Sequence, residues 1–279
     1  MSSEKKIVFI TGANTGLGYE TVKALYASPE SYHIVVGTRT LSNGEDAITR
    51  LKSEVPNSSS TLSTVQIDIT SDASIEAALA TIKSDHGKLD VLINNAGAAL
   101  DGELTPTTPA AQIRSVFNKT WDLNVSSPHV LTTLAMPLLL ESSDARLVFM
   151  SSGTASIWET LPENWGNMHH LPRLNASPEK GWPKPANSPI SRTAYRSAKA
   201  GLNMLMREWA RVLKDDSVKL WGVSPGFLAT GLGGHGREMM LKMGAEEPSV
   251  GGEFLRDIVQ GKYDHQVGKV IRAQGIQPW

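Results

Sequence analysis

The stretch Ile7-Val-Phe-Ile10-Thr11-Gly-Ala-Asn-Thr-Gly-Leu-Gly18 sets a β-branched and aromatic run directly before a turn that carries three glycines. An amphipathic run, Gly18–Ala27, follows, so the order reads strand, tight turn, helix. In that context glycine lets the chain turn sharply and lets backbone amides approach a pyrophosphate, while the helix N-terminus adds partial positive charge. A glycine-rich turn after a strand is also, taken alone, simply a turn. The rest of the chain decides between the two.

Outward from this unit, β-branched runs keep alternating with amphipathic ones: His33–Gly37 then Gly44–Val55, Thr64–Ile67 then Asp72–His86, Leu89–Ile93 then Gln112–Asn124. Pro128–Glu141 reads as a further helix, Arg146–Met150 as a strand, Ala194–Leu213 as a long helix, Val218–Val223 as a strand and Val267–Ile271 as a last apolar run. Strands that alternate with helices need βαβ crossovers, which build a parallel sheet with helices on both faces. An α/β fold in three layers, as one domain over residues 1–279, is therefore expected. Two segments break the alternation. Residues 156–190 hold six prolines and three tryptophans (Trp158, Trp165, Trp182) and read as an ordered loop insertion. Residues 230–247, rich in Gly and Met, lie just beyond a strand, where open α/β sheets bind ligands.

Lys and Arg number 27 against 28 Asp and Glu, so no excess of one sign draws the chain to nucleic acid or an anionic membrane. Cysteine is absent, which excludes a disulfide framework, a cysteine nucleophile and thiolate metal sites. The first residues carry charges but no apolar h-region, and the longest apolar stretch, Leu131–Leu140, is too short to span a bilayer. A soluble, cytoplasmic protein without nucleic-acid or membrane partners is the expectation. His169 and His170 lack further ligands at metal spacing, so no metal site is expected.

The spacing of the first turn, TGxxxGxG, departs from the commoner GxGxxG and resembles that of the short-chain dehydrogenase/reductase family. Other motifs stand in the family's order. Asn94-Asn-Ala-Gly97 follows the fourth strand, and Asn124, Ser152, Tyr195 and Lys199 stand where the family has its catalytic tetrad. After the sixth strand, Pro225-Gly-Phe-Leu-Ala-Thr230 resembles the family's PGxxxT turn. The resemblance runs from about Lys6 to Thr230 and implies a Rossmann-type doubly wound sheet of order 3-2-1-4-5-6-7. It further implies that Gly12, Asn14, Thr15, Gly16, Leu17 and Gly18 cradle a dinucleotide. Asn95, Ala96 and Gly97 would lie beside its ribose, Asp68 and Ile69 would meet the adenine, and Pro225, Gly226, Leu228 and Thr230 would hold the nicotinamide carboxamide.

Tyr195 and Lys199 stand four apart on an expected helix, so both side chains leave one face. A free tyrosine titrates near 10, and a lysine ammonium beside it is expected to favour the phenolate and lower that value. The same spacing also suits an ordinary amphipathic helix. By resemblance, Tyr195 protonates a carbonyl oxygen as hydride arrives from the nicotinamide, and Lys199 also holds the nicotinamide ribose. Ser152 donates to the substrate oxygen as an oxyanion-hole group does, and Asn124 fixes a water that links Lys199 to solvent. Of the pair Ser151 and Ser152, the family uses the second. Asn124 has a structural alternative, as a residue that caps or kinks its helix. Trp209 and Trp221 read as core.

At the end of the second strand, Thr38 stands where an acid would bond the adenosine ribose, and Arg39 is able to fork onto a 2′-phosphate. NADPH is therefore expected, with Arg39 stacked on adenine as the alternative. Thr15 occupies the loop position where relatives that prefer NADPH often carry a second basic residue. Between Ser152 and Tyr195 lie 42 residues, long for the family. The placement resembles the insertion of the monomeric carbonyl reductases, which lies beside the catalytic cleft and covers the surface that otherwise makes tetramers. Its tryptophans either wall a pocket for a bulky or aromatic ketone or anchor the loop, and residues 230–247 are the expected lid. The expected function is NADPH-dependent reduction of a small-molecule ketone or aldehyde by a monomer, with a dimer as second choice. Alcohol oxidation in the reverse direction and a non-catalytic NADPH-binding sensor or scaffold are the alternatives.

Overall fold

The computed structural model describes residues 5–166, 170–182, 184, 192–234 and 236–279. Its strands are β1 (Lys6–Thr11), β2 (Tyr32–Thr38), β3 (Thr61–Gln66), β4 (Val91–Asn94), β5 (Ala145–Met150), β6 (Val218–Val223), β7 (Val270–Arg272) and β8 (Gly275–Ile276). They form one sheet in the order β3-β2-β1-β4-β5-β6-β7-β8. The first seven pair in parallel, as the alternation of strand and helix requires, and β8 turns back antiparallel on β7. The helices are α1 (Gly16–Tyr26), α2 (Leu41–Glu54), α3 (Asp72–His86), α4 (Ala110–Trp121), α5 (Ser127–Leu140), α6 (His170–Asn175), α7 (Thr193–Val212), α8 (Arg237–Lys242) and α9 (Pro248–Val259).

Successive residues of a strand face opposite sides of the sheet, and both sides are covered, which is why the strands read as unbroken apolar runs. Phe9, Leu92, Leu147 and Phe149 pack with Ile75, Leu79, Leu131, Leu202 and Met206 on one side. Val8, Ile10, Ile93, Val148 and Trp221 pack with Val22, Leu25, Leu51, Leu255 and Ile258 on the other. Helix α9 lies close against α1 because it carries Gly252, where a Cβ would stand 2.5 Å from the Glu20 carbonyl oxygen.

Three details differ from the sequence reading. The helices expected as Gln112–Asn124 and Pro128–Glu141 are one helical run, Ala110–Leu140, joined by a π-helical turn at Asp122–Ser126. Pro128 does not break the run because it lies just after the π-helical turn, where the regular i→i−4 ladder is already interrupted. By length and composition this run is long and apolar enough to cross a membrane. Its apolar residues Leu131, Ala135 and Leu139 are instead buried in the core. The last parallel strand starts at Val270, not Val267, because Gly268 turns with φ +77° just before it. Of the insertion, Pro183, Pro185, Pro189 and His169 lie outside the described residues; the part described holds the short α6 and two 3-10 turns, Trp158–Thr160 and Pro162–Asn164.

The ends of the sheet remote from the glycine turn carry a charge network. Arg146, its side chain 4% exposed, bonds Asp264 and Asp144, and Lys6 and Lys219 also reach Asp144 at 2.8 and 2.9 Å. Burial alone would raise the Asp144 carboxyl, but these cations outweigh it and hold it far below the ordinary carboxylate range. Removing the buried guanidinium loses its charged bonds to Asp144 and Asp264 and its bond to the Ile258 carbonyl, while Lys6 and Lys219 still pair the half-exposed carboxylates. Arg146→Ala is therefore expected to cost ~1.5–3 kcal/mol of unfolding free energy, read from the urea midpoint, with turnover per folded molecule unchanged.

Candidate active site

Strands β1 and β4 are neighbours whose chains leave for opposite faces, which opens a crevice at their C-terminal ends. Four hydrogen bonds hold its floor. Thr11 Oγ1 accepts the amides of Asn95 and Ala96 at 3.1 and 3.0 Å, and Asn95 Nδ2 donates to the carbonyls of Thr11 and Gly12 at 2.8 and 3.1 Å. Gly12 and Gly16 turn with φ of +62° and +56°, and a Cβ at Gly18 would stand 2.3 Å from the Gly12 carbonyl oxygen. The loop therefore accepts only glycine at these places and brings bare backbone to the N-terminus of α1. Thr15, at the N-cap, makes no side-chain bond to that helix, so its first amides have no side-chain cap.

Around this floor the structure gathers the other residues singled out above. Gly16 faces Thr230, 3.7 Å from where its Cβ would be, so the loop Pro225–Thr230 borders the glycine turn. Leu228 and Leu17 meet beside Gly251 of α9. Residues 230–247 leave and return at one place: Leu228 bridges Glu246, and Met240 packs with Ala229 and Ala245 in a small core of their own. On the other side, a cleft of about 580 Å³ is lined by Asn14, Thr15, Asn43, Asp46, Thr49 and Arg50. Thr38 is buried at the end of β2, Arg39 beside it is exposed, and Asp68 lies close enough that Arg39 helps lower its carboxyl, after its bonds from Thr70. Ile69 is 7% exposed and belongs mainly to the core. The donor set, the glycine cradle and the uncapped helix start fit a dinucleotide phosphate.

Ser152, Tyr195, Lys199 and Asn124 converge at the same end of the sheet. Ser151 is buried and bonds Asn203 of α7, whereas Ser152 is half-buried, bonds Thr154 and lies close enough to Tyr195 to pull its phenol down. Lys199 Nζ stands 5.6 Å from the Tyr195 ring centre and donates to the Met150 carbonyl at 2.7 Å. Asn124 sits in the π-helical turn, where its Nδ2 donates to the carbonyls of Thr120 and Ala98 at 2.8 and 2.9 Å. Its Oδ1 is buried without a partner. The Cβ position of Gly97 is 2.7 Å from that oxygen and 3.5 Å from Lys199 Nζ, so both atoms border one small space that only glycine leaves free. Its amide thus ties an irregular turn together, and its Oδ1 borders the same space as Lys199 Nζ.

The expected electrostatics are overturned in one respect. Burial pushes the Tyr195 phenol up to about 12, against the pull of Ser152 and Arg192, and burial also lowers Lys199 to about 7. Desolvation of both groups outweighs the pairing that the four-residue spacing suggests.

The model of the short chain dehydrogenase family matches residues 6–160. The chain belongs to the short-chain dehydrogenase/reductase family. It is 45% identical to the short-chain dehydrogenase/reductase eupG of a Phoma species, over 99% of this chain and 98% of that one. It is 39% identical to tropE of Talaromyces stipitatus, over 99% of each. The NADPH-bound carbonyl reductase from chicken fatty liver has the same fold, with a TM-score of 0.72 at 22% identity over 99% of this chain and 100% of that one. The dehydrogenase/reductase assignment makes the chain an oxidoreductase of small molecules that uses a nicotinamide dinucleotide.

Three residues of the site escape a motif reading. Thr11 supplies the floor; Gln277, fully buried, donates to the Ser152 carbonyl at 3.1 Å; Asp101, 2% exposed, reaches the start of α7. Thr11 alone had a signal, its place at the head of the glycine turn. The other two are brought in by tertiary contacts over more than 90 positions.

Lys199 binds a proton less readily folded, at about 7, than its ordinary value of 10.5. The unfolded chain therefore holds more protons between those values, and stability rises with pH across that window. Relative to Lys199→Met, the wild-type Tm is expected to climb from pH 7 to pH 10, as checked by thermal melts of both proteins.

Proposed function

We propose that this dehydrogenase/reductase is an NADPH-dependent reductase of a ketone or aldehyde. The observation that carries the reading is the meeting of Ser152, Tyr195 and Lys199 beside the glycine cradle, with a buried phenol that keeps its proton at neutral pH. When bound, the cofactor supplies hydride to the carbonyl carbon. The chain's residues handle the oxygen. Ser152 Oγ donates to it and stabilises the charge that develops there. Tyr195 gives its proton to the forming alkoxide, a far stronger base than a phenolate, so a high phenol pKa is no obstacle in this direction. Alcohol oxidation, the second reading, would need the phenolate that burial disfavours. Lys199 and Asn124 lie behind the phenol and lead its proton supply toward solvent.

For NADPH the support is Arg39, exposed at the end of β2 with no acid at Thr38, and the cofactor of the chicken fatty-liver carbonyl reductase. Gly12, Asn14, Thr15, Gly16, Leu17 and Gly18 would hold the pyrophosphate, Asp68 and Ile69 the adenine, and Asn95, Ala96 and Gly97 the ribose. Pro225, Gly226, Leu228 and Thr230 would hold the carboxamide. Residues 230–247 are proposed as the lid and residues 156–190 as a wall of the substrate pocket, where Ile157 and Trp158 stand exposed. The assembly proposed is a monomer in the cytoplasm; the exposed Ile113, Phe117 and Trp121 of α4 mark where a dimer would form instead. Light scattering at micromolar concentration decides between them.

The direct test follows the loss of NADPH absorbance over aromatic ketones, 1,2-diketones and aldehydes. Turnover is expected with the wild type, with a loss of ~10²-fold in kcat for Ser152→Ala and no measurable rate for Tyr195→Phe. Arg39→Ala is expected to reduce the preference for NADPH over NADH by ~10-fold or more, the loss of a charged hydrogen bond. Tight NADPH binding without turnover in either direction would return the sensor or scaffold reading.

A further inference from the structure

Asp101 begins a short 3-10 turn on the chain between β4 and α4 and is 2% exposed. Its Oδ1 accepts the amide of Ala194 at 2.7 Å and its Oδ2 accepts that of Tyr195 at 3.0 Å. Helix α7 begins at Thr193, so these are first-turn amides, which have no partner within the helix and are ordinarily met by the residue just before it. Here that residue is Arg192, whose side chain makes no such bond. The cap comes from 94 positions away.

A local cap would tie the helix to its own preceding loop, which in this chain follows the long insertion. Asp101 ties it instead to the segment that continues Asn94–Gly97, the same segment whose Ala98 carbonyl holds Asn124. The amide it grips is that of Tyr195 itself, and Lys199 stands one turn further along α7. We propose that Asp101 is a positioning residue for Tyr195: its two backbone bonds fix the first turn of α7, and so the phenol, against the Asn124 side of the cleft. The inference rests on Tyr195 being the proton donor proposed above.

Asp101 also brings negative charge near the phenol. Lys199 and Arg192 face Tyr195 from α7 and its start, Ser152 from the end of β5, uncharged Asn124 from the π-helical turn, and Asp101 from the loop after β4. Among them Asp101 pushes the phenol up, while Ser152 and Arg192 pull it down. Loss of the carboxylate charge therefore moves the alkaline fall of the reduction rate to lower pH, an effect that loss of stability alone would not produce.

The experiment compares Asp101→Ala, Asp101→Asn and Tyr195→Phe with the wild type. Reduction of 1-phenyl-1,2-propanedione by NADPH gives kcat, KM and the pH profile, and hydrogen exchange over residues 193–199 is followed without substrate. Asp101→Ala is expected to lose ~10–100-fold in kcat, as a misplaced proton donor does, with KM within about threefold. Its exchange at the start of α7 should rise. Asn retains one acceptor, so Asp101→Asn is expected to recover most of kcat and to shift the alkaline limb to lower pH. Wild-type kcat and exchange in a folded Asp101→Ala would overturn the proposal; where that variant does not fold, wild-type exchange over residues 193–199 in Asp101→Asn would do so. An active Tyr195→Phe would instead remove the proton-donor reading, while the exchange data still decide whether Asp101 tethers the helix.

Discussion

Four hydrogen bonds between Thr11–Gly12 and Asn95–Ala96 are the constraint on which the site depends. They join two adjacent parallel strands at the point where the chains part, and so fix the glycine turn against Asn95–Gly97. Everything that follows is measured from this floor. The glycines leave space where a side chain would fill it, the N-terminus of α1 points its amides into that space, and Gly97 leaves Asn124 and Lys199 bordering a common gap. The buried Thr11 hydroxyl is fully engaged there, accepting two amides, consistent with the cost of leaving a buried polar group unmade.

A second constraint is burial. Lys199 and Tyr195 are 4% and 5% exposed, and taking an ammonium and a phenol out of water favours their neutral forms. The site therefore holds a phenol that keeps its proton and a lysine that gives its own up near neutrality. That arrangement suits the donation of a proton to a newly formed alkoxide. The removal of a proton from an alcohol is the same step run backwards from the phenolate.

How much of this was legible in the sequence depended on the range of the interaction. The glycine turn, the parallel sheet and the shared face of Tyr195 and Lys199 follow from spacing within a few residues, and the structure has all three. The continuity of Ala110–Leu140 was hidden because Asn124 and Pro128 read as breaks, whereas a π-helical turn absorbs both. The strand Gly275–Ile276 is too short to carry a period. The role of burial at Lys199 was not legible at all, since residue spacing gives neighbours along a helix but not the water excluded by a folded core. Asp101 and Gln277 act on Tyr195 and Ser152 from distant parts of the chain, and no local pattern marks them.

The central claim is that the site delivers hydride to a carbonyl carbon while the protein delivers the proton. The most direct measurement uses NADPH doubly deuterated at C4 of the dihydronicotinamide, with the alcohol product analysed by mass spectrometry and NMR. The account expects one deuterium on the carbinol carbon. A product without that label on carbon would contradict it.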